Sequence, residues 1–220
     1  MAQHLKPRSS YSHAERVSDV VVHAAGLVAV GVAVPALIAL AVGLGTRGWL
    51  LFGVTVYGAT LAAMILFSAL YNTVGQRRWR GLLRRLDHSA IYAKIAATYM
   101  PFTLGPGGHG GYLLAGLWTA ALAGIGLKVA SPRRLRWVAL ALYLGMGWAG
   151  IIFGAGVFGA LSAPVLALIV TGGALYTLGV VFFLCERLPF HYTIWHALVL
   201  AASLVFYAAV TVHVVQVAPA

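Results

Sequence analysis

The chain has little charge, few acidic residues and almost no cysteine. Only 9% of its 220 residues are charged, whereas a soluble domain carries about 25%. Four of the charged residues are acidic, fifteen are basic, and Cys185 is the single cysteine. One cysteine excludes an intramolecular disulfide and a metal site built from several thiolates. The scarcity of charge and a mean hydropathy of +0.91 exclude a soluble globular protein.

The chain contains several long apolar stretches. A helix needs about 20 apolar residues to cross a bilayer, and seven stretches meet this requirement. We predict an all-α integral membrane protein with a short cytoplasmic tail (residues 1–18) and one transmembrane domain (residues 19–217). The predicted spans are residues 19–44, 49–72, 89–105, 111–130, 135–156, 162–184 and 192–216. The polar N-terminus lacks the cleavage pattern of a secretory signal peptide, so we expect none.

The basic residues predict the orientation of these spans. Arg47 lies on one side of the predicted membrane, Lys94 lies within a span, and the other thirteen share the opposite side. The positive-inside rule assigns the side with thirteen to the cytoplasm. We therefore expect a cytoplasmic N-terminus, an external C-terminus, location in a bacterial inner membrane, and contact with anionic lipid instead of nucleic acid. The thirteen residues are Lys6, Arg8, Arg16, Arg77, Arg78, Arg80, Arg84, Arg85, Lys128, Arg133, Arg134, Arg136 and Arg187.

Eight polar residues lie near the predicted cytoplasmic ends of the spans and form a layer at one depth. Polar side chains inside a membrane are costly and mark functional sites by default. Asp, His, Ser and Asn at one depth suit metal ligation or proton transfer to a bound water. The alternative is helix capping and interfacial solvation, since a carboxylate at a helix N-terminus caps free N–H groups. The layer consists of Asp19, His23, Ser68, Asn72, Asp87, His88, His191 and His196.

Several motifs resemble the hemolysin III branch of the progestin and adipoQ receptor (PAQR) family. They are SALYN (68–72), LDHSAIY (86–92), ATYMPF (97–102) and IWHALVL (194–200), and the opening motif matches Glu15, Asp19 and His23. The resemblance spans almost the whole chain. It implies seven helices, a cytoplasmic N-terminus and a role in membrane-lipid homeostasis. In receptor members of the family, zinc near the cytoplasmic face supports ceramidase-like hydrolysis of a lipid amide.

The resemblance also implies roles for individual residues. Ser68 matches the motif serine, which would hydrogen-bond near the oxyanion. Asp87 matches the aspartate that would orient or deprotonate the attacking water. His196 matches a histidine that holds the metal.

Two family ligands are replaced in this sequence. Asn72 occupies the histidine position of span two, and Tyr192 occupies the first histidine position of span seven. His191 comes one residue too early, and five residues on a helix separate it from His196 by about 140°. A rebuilt zinc site would combine His196, His23 or His191, and Asp87; a site without metal is the alternative.

Lys94 is a charged residue inside the third predicted span, where an apolar residue is expected. It follows Asp87 by seven residues and so shares a helix face with it. We expect its ammonium to reach the interface by snorkelling or to meet a carbonyl within the bundle; the alternative is that it helps neutralise Asp87.

Three functions remain open from the sequence. The first is a metal-dependent hydrolase whose lipid amide substrate enters from the bilayer. The second is a non-catalytic membrane sensor whose polar layer is a structural network or a proton-sensitive switch. The third is cytolytic or channel activity, for which no span shows a continuous polar stripe.

Overall fold

The structure is a computed structural model that describes residues 11–74, 78–104, 110–130 and 135–218. Five of the basic residues counted above lie outside the described residues: Lys6, Arg8, Arg77, Arg133 and Arg134. Eight α-helices account for the regular structure of the described part. They are α1 (His13–Gly43), α2 (Gly48–Thr73), α3 (Arg80–Thr103), α4 (Gly111–Ala130), α5 (Arg136–Phe153), α6 (Ala155–Phe158), α7 (Ala163–Leu184) and α8 (His191–Val217).

Six of these helices are long and apolar enough to cross a membrane: α1, α2, α4, α5, α7 and α8. The prediction of an all-helical integral membrane protein is therefore confirmed. Helix α3 has 24 residues, but its five charged residues lower its hydropathy. The seventh crossing, and with it the orientation, stays a prediction.

The first and third helices begin earlier than the predicted spans. Helix α1 begins at His13, six residues before the predicted span, because Ser12 and Glu15 form a capping box. The Ser12 backbone N–H donates to Glu15 Oε2 (2.7 Å), and the Glu15 N–H donates to Ser12 Oγ (3.2 Å). Helix α3 begins at Arg80, nine residues early. Hydropathy marks where a helix enters the apolar layer, whereas capping and hydrogen bonding decide where it starts.

Helices α1 and α8 run parallel, and hydrogen bonds join their first turns. The Phe190 N–H donates to Glu15 Oε1 (3.0 Å), and the hydroxyls of Ser18 and Thr193 are 3.0 Å apart. The beginnings of the first and last helices thus meet at one end of the bundle. We call it the site end, because the polar residues discussed below lie there.

Helix α3 packs against α2, α4, α5 and α8. It is antiparallel to α4, and a side chain on Gly124 would collide with Tyr92, since a Cβ there would lie 2.4 Å from the Tyr92 ring. Small residues of this kind let membrane helices approach closely. It is parallel to α5, because Tyr143 donates to the His88 carbonyl (3.1 Å) and Tyr99, further along, donates to the Met146 carbonyl (2.8 Å).

Candidate metal centre

Three potential metal ligands meet between α1 and α8. Among the described residues, Asp19, His23 and His196 each offer a ligand atom within 4.8 Å of the others, and all three are buried. Asp19 and His23 share a face of α1 because they are four residues apart. The parallel packing of α1 and α8 brings His196 against that face.

The hydrogen bonds of this group orient both imidazole rings. His196 Nδ1 lies 2.5 Å from Asp19 Oδ1, and His23 Nδ1 lies 2.7 Å from the Asp19 carbonyl oxygen. If each Nδ1 carries the proton and donates, each Nε2 keeps a lone pair. Histidines that bind metals generally donate their other N–H to a carboxylate or a backbone carbonyl in this way. The two rings meet edge to face with centroids 4.5 Å apart.

Helix α2 contributes Ser68 and Asn72 to the same group. The Ser68 hydroxyl lies 3.1 Å from His23 Nε2, and Asn72 Nδ2 donates to Ser68 Oγ at 3.2 Å. Asn72 Nδ2 is also 3.4 Å from His23 Nε2. Asn72, which the resemblance matches to a zinc-binding histidine, therefore faces the candidate centre. We call these five residues, Asp19, His23, His196, Ser68 and Asn72, the acid–histidine cluster.

Asp87 and His88 lie on α3 and line the same cavity as the cluster. This cavity has a volume of about 830 Å³, and His23, Ser68 and His196 also line it. Asp87 is buried, and its Oδ2 lies 3.9 Å from His88 Nε2. Among the described residues, the set of three potential ligands contains Asp19 where the sequence indicated Asp87.

His191 and Tyr192 begin α8 next to the cluster. His191 is only 2% exposed, and its Nε2 lies 3.2 Å from the Tyr11 hydroxyl. It does not belong to the described set of three ligands. Tyr192 meets the ring of His196 edge on, with centroids 4.8 Å apart. His191 thus connects the chain before α1 to the start of α8.

Lys94 is buried deeper in the bundle and is 2% exposed, so it does not snorkel to the interface. Its Nζ donates to the Tyr176 hydroxyl (2.7 Å), which lies 2.6 Å from Ser203 Oγ. The ammonium also lies 4.9 Å from the centre of the Phe206 ring. Its hydrogen bond therefore crosses to α7 and α8. No sequence pattern indicated Tyr176 and Ser203, because they lie on other helices at unrelated spacings.

Asp19 is the potential ligand that sequence reasoning underestimated. The sequence placed it in the polar layer, with capping as the alternative role. The structure excludes capping because the cap of α1 is Ser12, and Asp19 lies seven residues further into the helix. The four-residue spacing from His23 was the available signal.

The described part of the chain is a helical integral membrane protein with a buried acid–histidine cluster on the wall of a cavity. The sequence matches the family described as "Haemolysin-III related" over residues 11–207, and the chain belongs to this family. The resemblance to the hemolysin III branch is thereby confirmed.

Named relatives cover nearly the whole chain. The chain is 33% identical to "Hemolysin-3 homolog" of Bacillus subtilis (strain 168), covering 92% of this chain and 96% of the relative. It is 35% identical to "Hemolysin-3" of Bacillus cereus, covering 93% and 94%. A more distant similarity, 29% identity over 70% of this chain and 67% of the relative, connects it to the human "Monocyte to macrophage differentiation factor".

Proposed function

We propose that this protein is a metal-dependent hydrolase of lipid amides, with zinc held by His23, His196 and Asp19. The observation that supports this function is the buried set of two imidazoles and one carboxylate within 4.8 Å of one another. Both histidines of this set line a mostly apolar cavity of about 830 Å³.

The donor set fits zinc. Catalytic zinc sites generally take three protein ligands from His, Asp, Glu and Cys and keep one position open. The hydrogen bonds from each Nδ1 to Asp19 leave the lone pair of each ring on Nε2. At His23, zinc would replace the contacts that Nε2 makes with Ser68 and Asn72. When bound, zinc would supply Lewis acidity, which polarises a carbonyl and makes a water molecule more acidic.

The remaining polar residues have roles around the amide. Asp87 would orient the attacking water and accept its proton from the α3 side of the cavity. It would then return that proton to the amide nitrogen as the C–N bond breaks, so that the amine leaves neutral. The Ser68 hydroxyl would donate a hydrogen bond to the oxygen that gains negative charge. Asp19 holds His196 in one orientation through the Nδ1 contact. The apolar part of the cavity would hold the acyl chain and exclude bulk water.

The proposed orientation has the site end in the cytoplasm of a bacterial cell. Thirteen Lys and Arg on one predicted side against one on the other support this orientation. Parallel α1 and α8 support an odd number of crossings and hence a membrane-spanning α3. The two Bacillus relatives support location in a plasma membrane. The substrate would enter sideways from the lipid, because an amide with long acyl chains does not leave the bilayer.

The deciding measurement is the metal content of detergent-purified protein together with turnover of a fluorescent ceramide-type amide. We expect about one zinc per chain and measurable hydrolysis. The double variant Asp19→Ala, His196→Ala should lose both. Asp87→Asn should keep the zinc and lose hydrolysis at least about a hundredfold, which is the usual range for a general base. Folded, zinc-supplied wild-type protein without metal would refute the proposal.

A second candidate function rests on the completeness of the hydrogen bonds in the acid–histidine cluster. Asn72 and Ser68 bond to each other and to His23, where the family has a histidine ligand. Such a network could connect α1, α2 and α8 without metal, as a membrane sensor requires. A sensor would keep its cellular phenotype in Asp87→Asn and would show no turnover.

A further inference from the structure

Three cationic side chains line the cavity on the side opposite the acid–histidine cluster. They are Arg84 of α3, Lys128 of α4 and Arg136 of α5, and we call them the cationic end. Lys128 is 5% exposed, although it is a lysine near a helix terminus. The described residues provide no hydrogen bond or ion pair for its ammonium. The Nε of Arg84 and the Nε and Nη2 of Arg136 are also buried without a described partner.

Packing contacts bring Arg84 and Lys128 together. Helices α3 and α4 are antiparallel and touch at Tyr92 and Gly124. His88 on α3 and Lys128 on α4 each lie one turn nearer the site end than that contact. Arg84 lies one further turn towards the site end on α3. The positive charges of Arg84 and Lys128 both act on His88, which fits this arrangement.

Helix α5 brings the third cation to the same end. Its Tyr143 donates to the His88 carbonyl (3.1 Å). Arg136 lies seven residues before Tyr143, so it shares that face and lies about 10 Å nearer the site end. Helices α3, α4 and α5 thus deliver one cation each to the cavity wall.

The carboxylates at the cationic end do not balance these charges. Glu186 accepts from Arg136 Nη1 (2.8 Å), and Asp87 contacts His88 (3.9 Å). Membrane topology by itself accounts for exposed basic residues, such as Arg80 and Arg85 on the same helix. It does not account for buried guanidinium N–H groups and a lysine that is 5% exposed on the wall of a cavity whose described carboxylate is Asp87, because such groups lose hydration.

We propose that the cationic end binds the phosphate of an anionic membrane lipid, whose acyl chain lies in the apolar part of the cavity. Arginine offers a planar fork of donors that matches phosphate oxygens, and lysine adds a point charge. Basic pockets between membrane helices on the cytoplasmic side recognise anionic headgroups. Ile151 of α5 lines the cavity and is half exposed, so the cavity opens towards the surrounding lipid there.

This site lies on α3, α4 and α5, whereas the proposed metal ligands lie on α1 and α8. The phosphate-binding residues are therefore separate from the proposed metal ligands, while the two ligands would share the apolar part of the cavity. The shared chemistry of all possible ligands is a phosphate group, and the apolar continuation of the cavity favours a lipid over a soluble phosphate compound.

The test is native mass spectrometry of the full-length protein in neutral detergent with added lipid. Phosphatidylglycerol, phosphatidylcholine of the same chain length and inorganic phosphate are added separately. We expect phosphatidylglycerol to be retained at least about tenfold better than phosphatidylcholine, since the site prefers net negative charge. Inorganic phosphate at millimolar concentration should not displace it.

Matched variants identify the binding residues. Arg84→Gln and Lys128→Gln should each reduce retention of phosphatidylglycerol about tenfold. Arg85→Gln removes the same charge from an exposed neighbour and should leave retention unchanged. Lys128→Arg keeps the charge and should retain the lipid, which separates loss of binding from loss of folding.

Three outcomes would overturn the proposal. Equal retention of the two lipids by the wild type would show that the headgroup charge is not recognised. Equal losses in Arg84→Gln and Arg85→Gln would reduce the effect to general surface charge. Displacement of the lipid by inorganic phosphate would identify a soluble phosphate compound as the ligand.

Discussion

The acid–histidine cluster and the cationic end lie on opposite walls of one cavity and differ in how their polar groups are satisfied. In the cluster, Asp19, His23, Ser68 and Asn72 bond to one another or to His196. At the cationic end, Lys128 and two guanidinium groups face the cavity with few described acceptors. A buried polar group is costly only while it lacks a partner. The cluster can therefore persist with or without a ligand, whereas the cationic end favours the bound state.

The largest expected effect comes from removing the carboxylate that holds the cluster together. Asp19→Ala should abolish zinc binding and lower the free energy of unfolding by about 3 kcal/mol, because buried partners lose their counterpart. Elemental analysis and thermal unfolding in detergent measure both quantities.

Asp87→Asn is the control for this prediction, since Asp87 is the other buried aspartate. It should keep its zinc. If Asp87→Asn loses its zinc and Asp19→Ala retains it, Asp87 of α3 is the zinc ligand. The prediction for Asp19 is then wrong.

The sequence predicted which residues form the acid–histidine cluster better than it predicted how they are arranged. Hydropathy placed Asp19, His23, Ser68, Asn72 and His196 at one depth, because apolar spans fix depth along the membrane normal. It could not choose between Asp19 and Asp87 as a ligand, since that depends on the packing of α1 against α8. In the same way, counting basic residues identified Lys128 as a topology signal and could not show that its side chain is buried.

The second prediction tests whether the close contact of α3 and α4 forms the cationic end. Gly124→Ala would place a Cβ 2.4 Å from the Tyr92 ring. Forcing the helices apart should destabilise the protein by about 2 kcal/mol, within the usual range for overpacking. It should also reduce retention of phosphatidylglycerol.

Gly126→Ala is the matched control, because a Cβ at this position of the same helix meets nothing within 4 Å. It should be neutral in both measurements. Equal effects of the two variants on thermal unfolding would mean that helix flexibility matters more than the α3–α4 contact.

The third prediction concerns Lys94, a buried cation that donates a hydrogen bond to the Tyr176 hydroxyl. Tyr176→Phe removes the hydroxyl that accepts from Nζ at 2.7 Å. We expect a loss of about 1.5 kcal/mol, near the upper range for hydrogen bonds between membrane helices. Lys94→Met removes the charge itself and leaves Tyr176 bonded to Ser203, so it should cost less. A greater loss in Lys94→Met would show that the ammonium stabilises the bundle by some other contact.

The smallest effect is a gain in metal affinity. Asn72 Nδ2 lies 3.4 Å from His23 Nε2, so Asn72→His would add an imidazole to the acid–histidine cluster. Zinc affinity should rise about tenfold, or about 1.4 kcal/mol, measured by competition with a chelator. Asn72→Ala is the control and should not raise it. An unchanged affinity in Asn72→His would indicate that the cluster serves as a structural network.

The hydrogen bonds between the first turns of α1 and α8 have a consequence for biosynthesis. Asp19 and His196 are 177 residues apart in the chain. A ribosome adds about 5–20 residues per second, so roughly 10–35 s separate the synthesis of the two partners. During that interval Asp19 lacks the contact that His196 later supplies. A stalled or truncated product would lack the last helix and would lack this contact permanently, which would give quality-control proteases a way to recognise it.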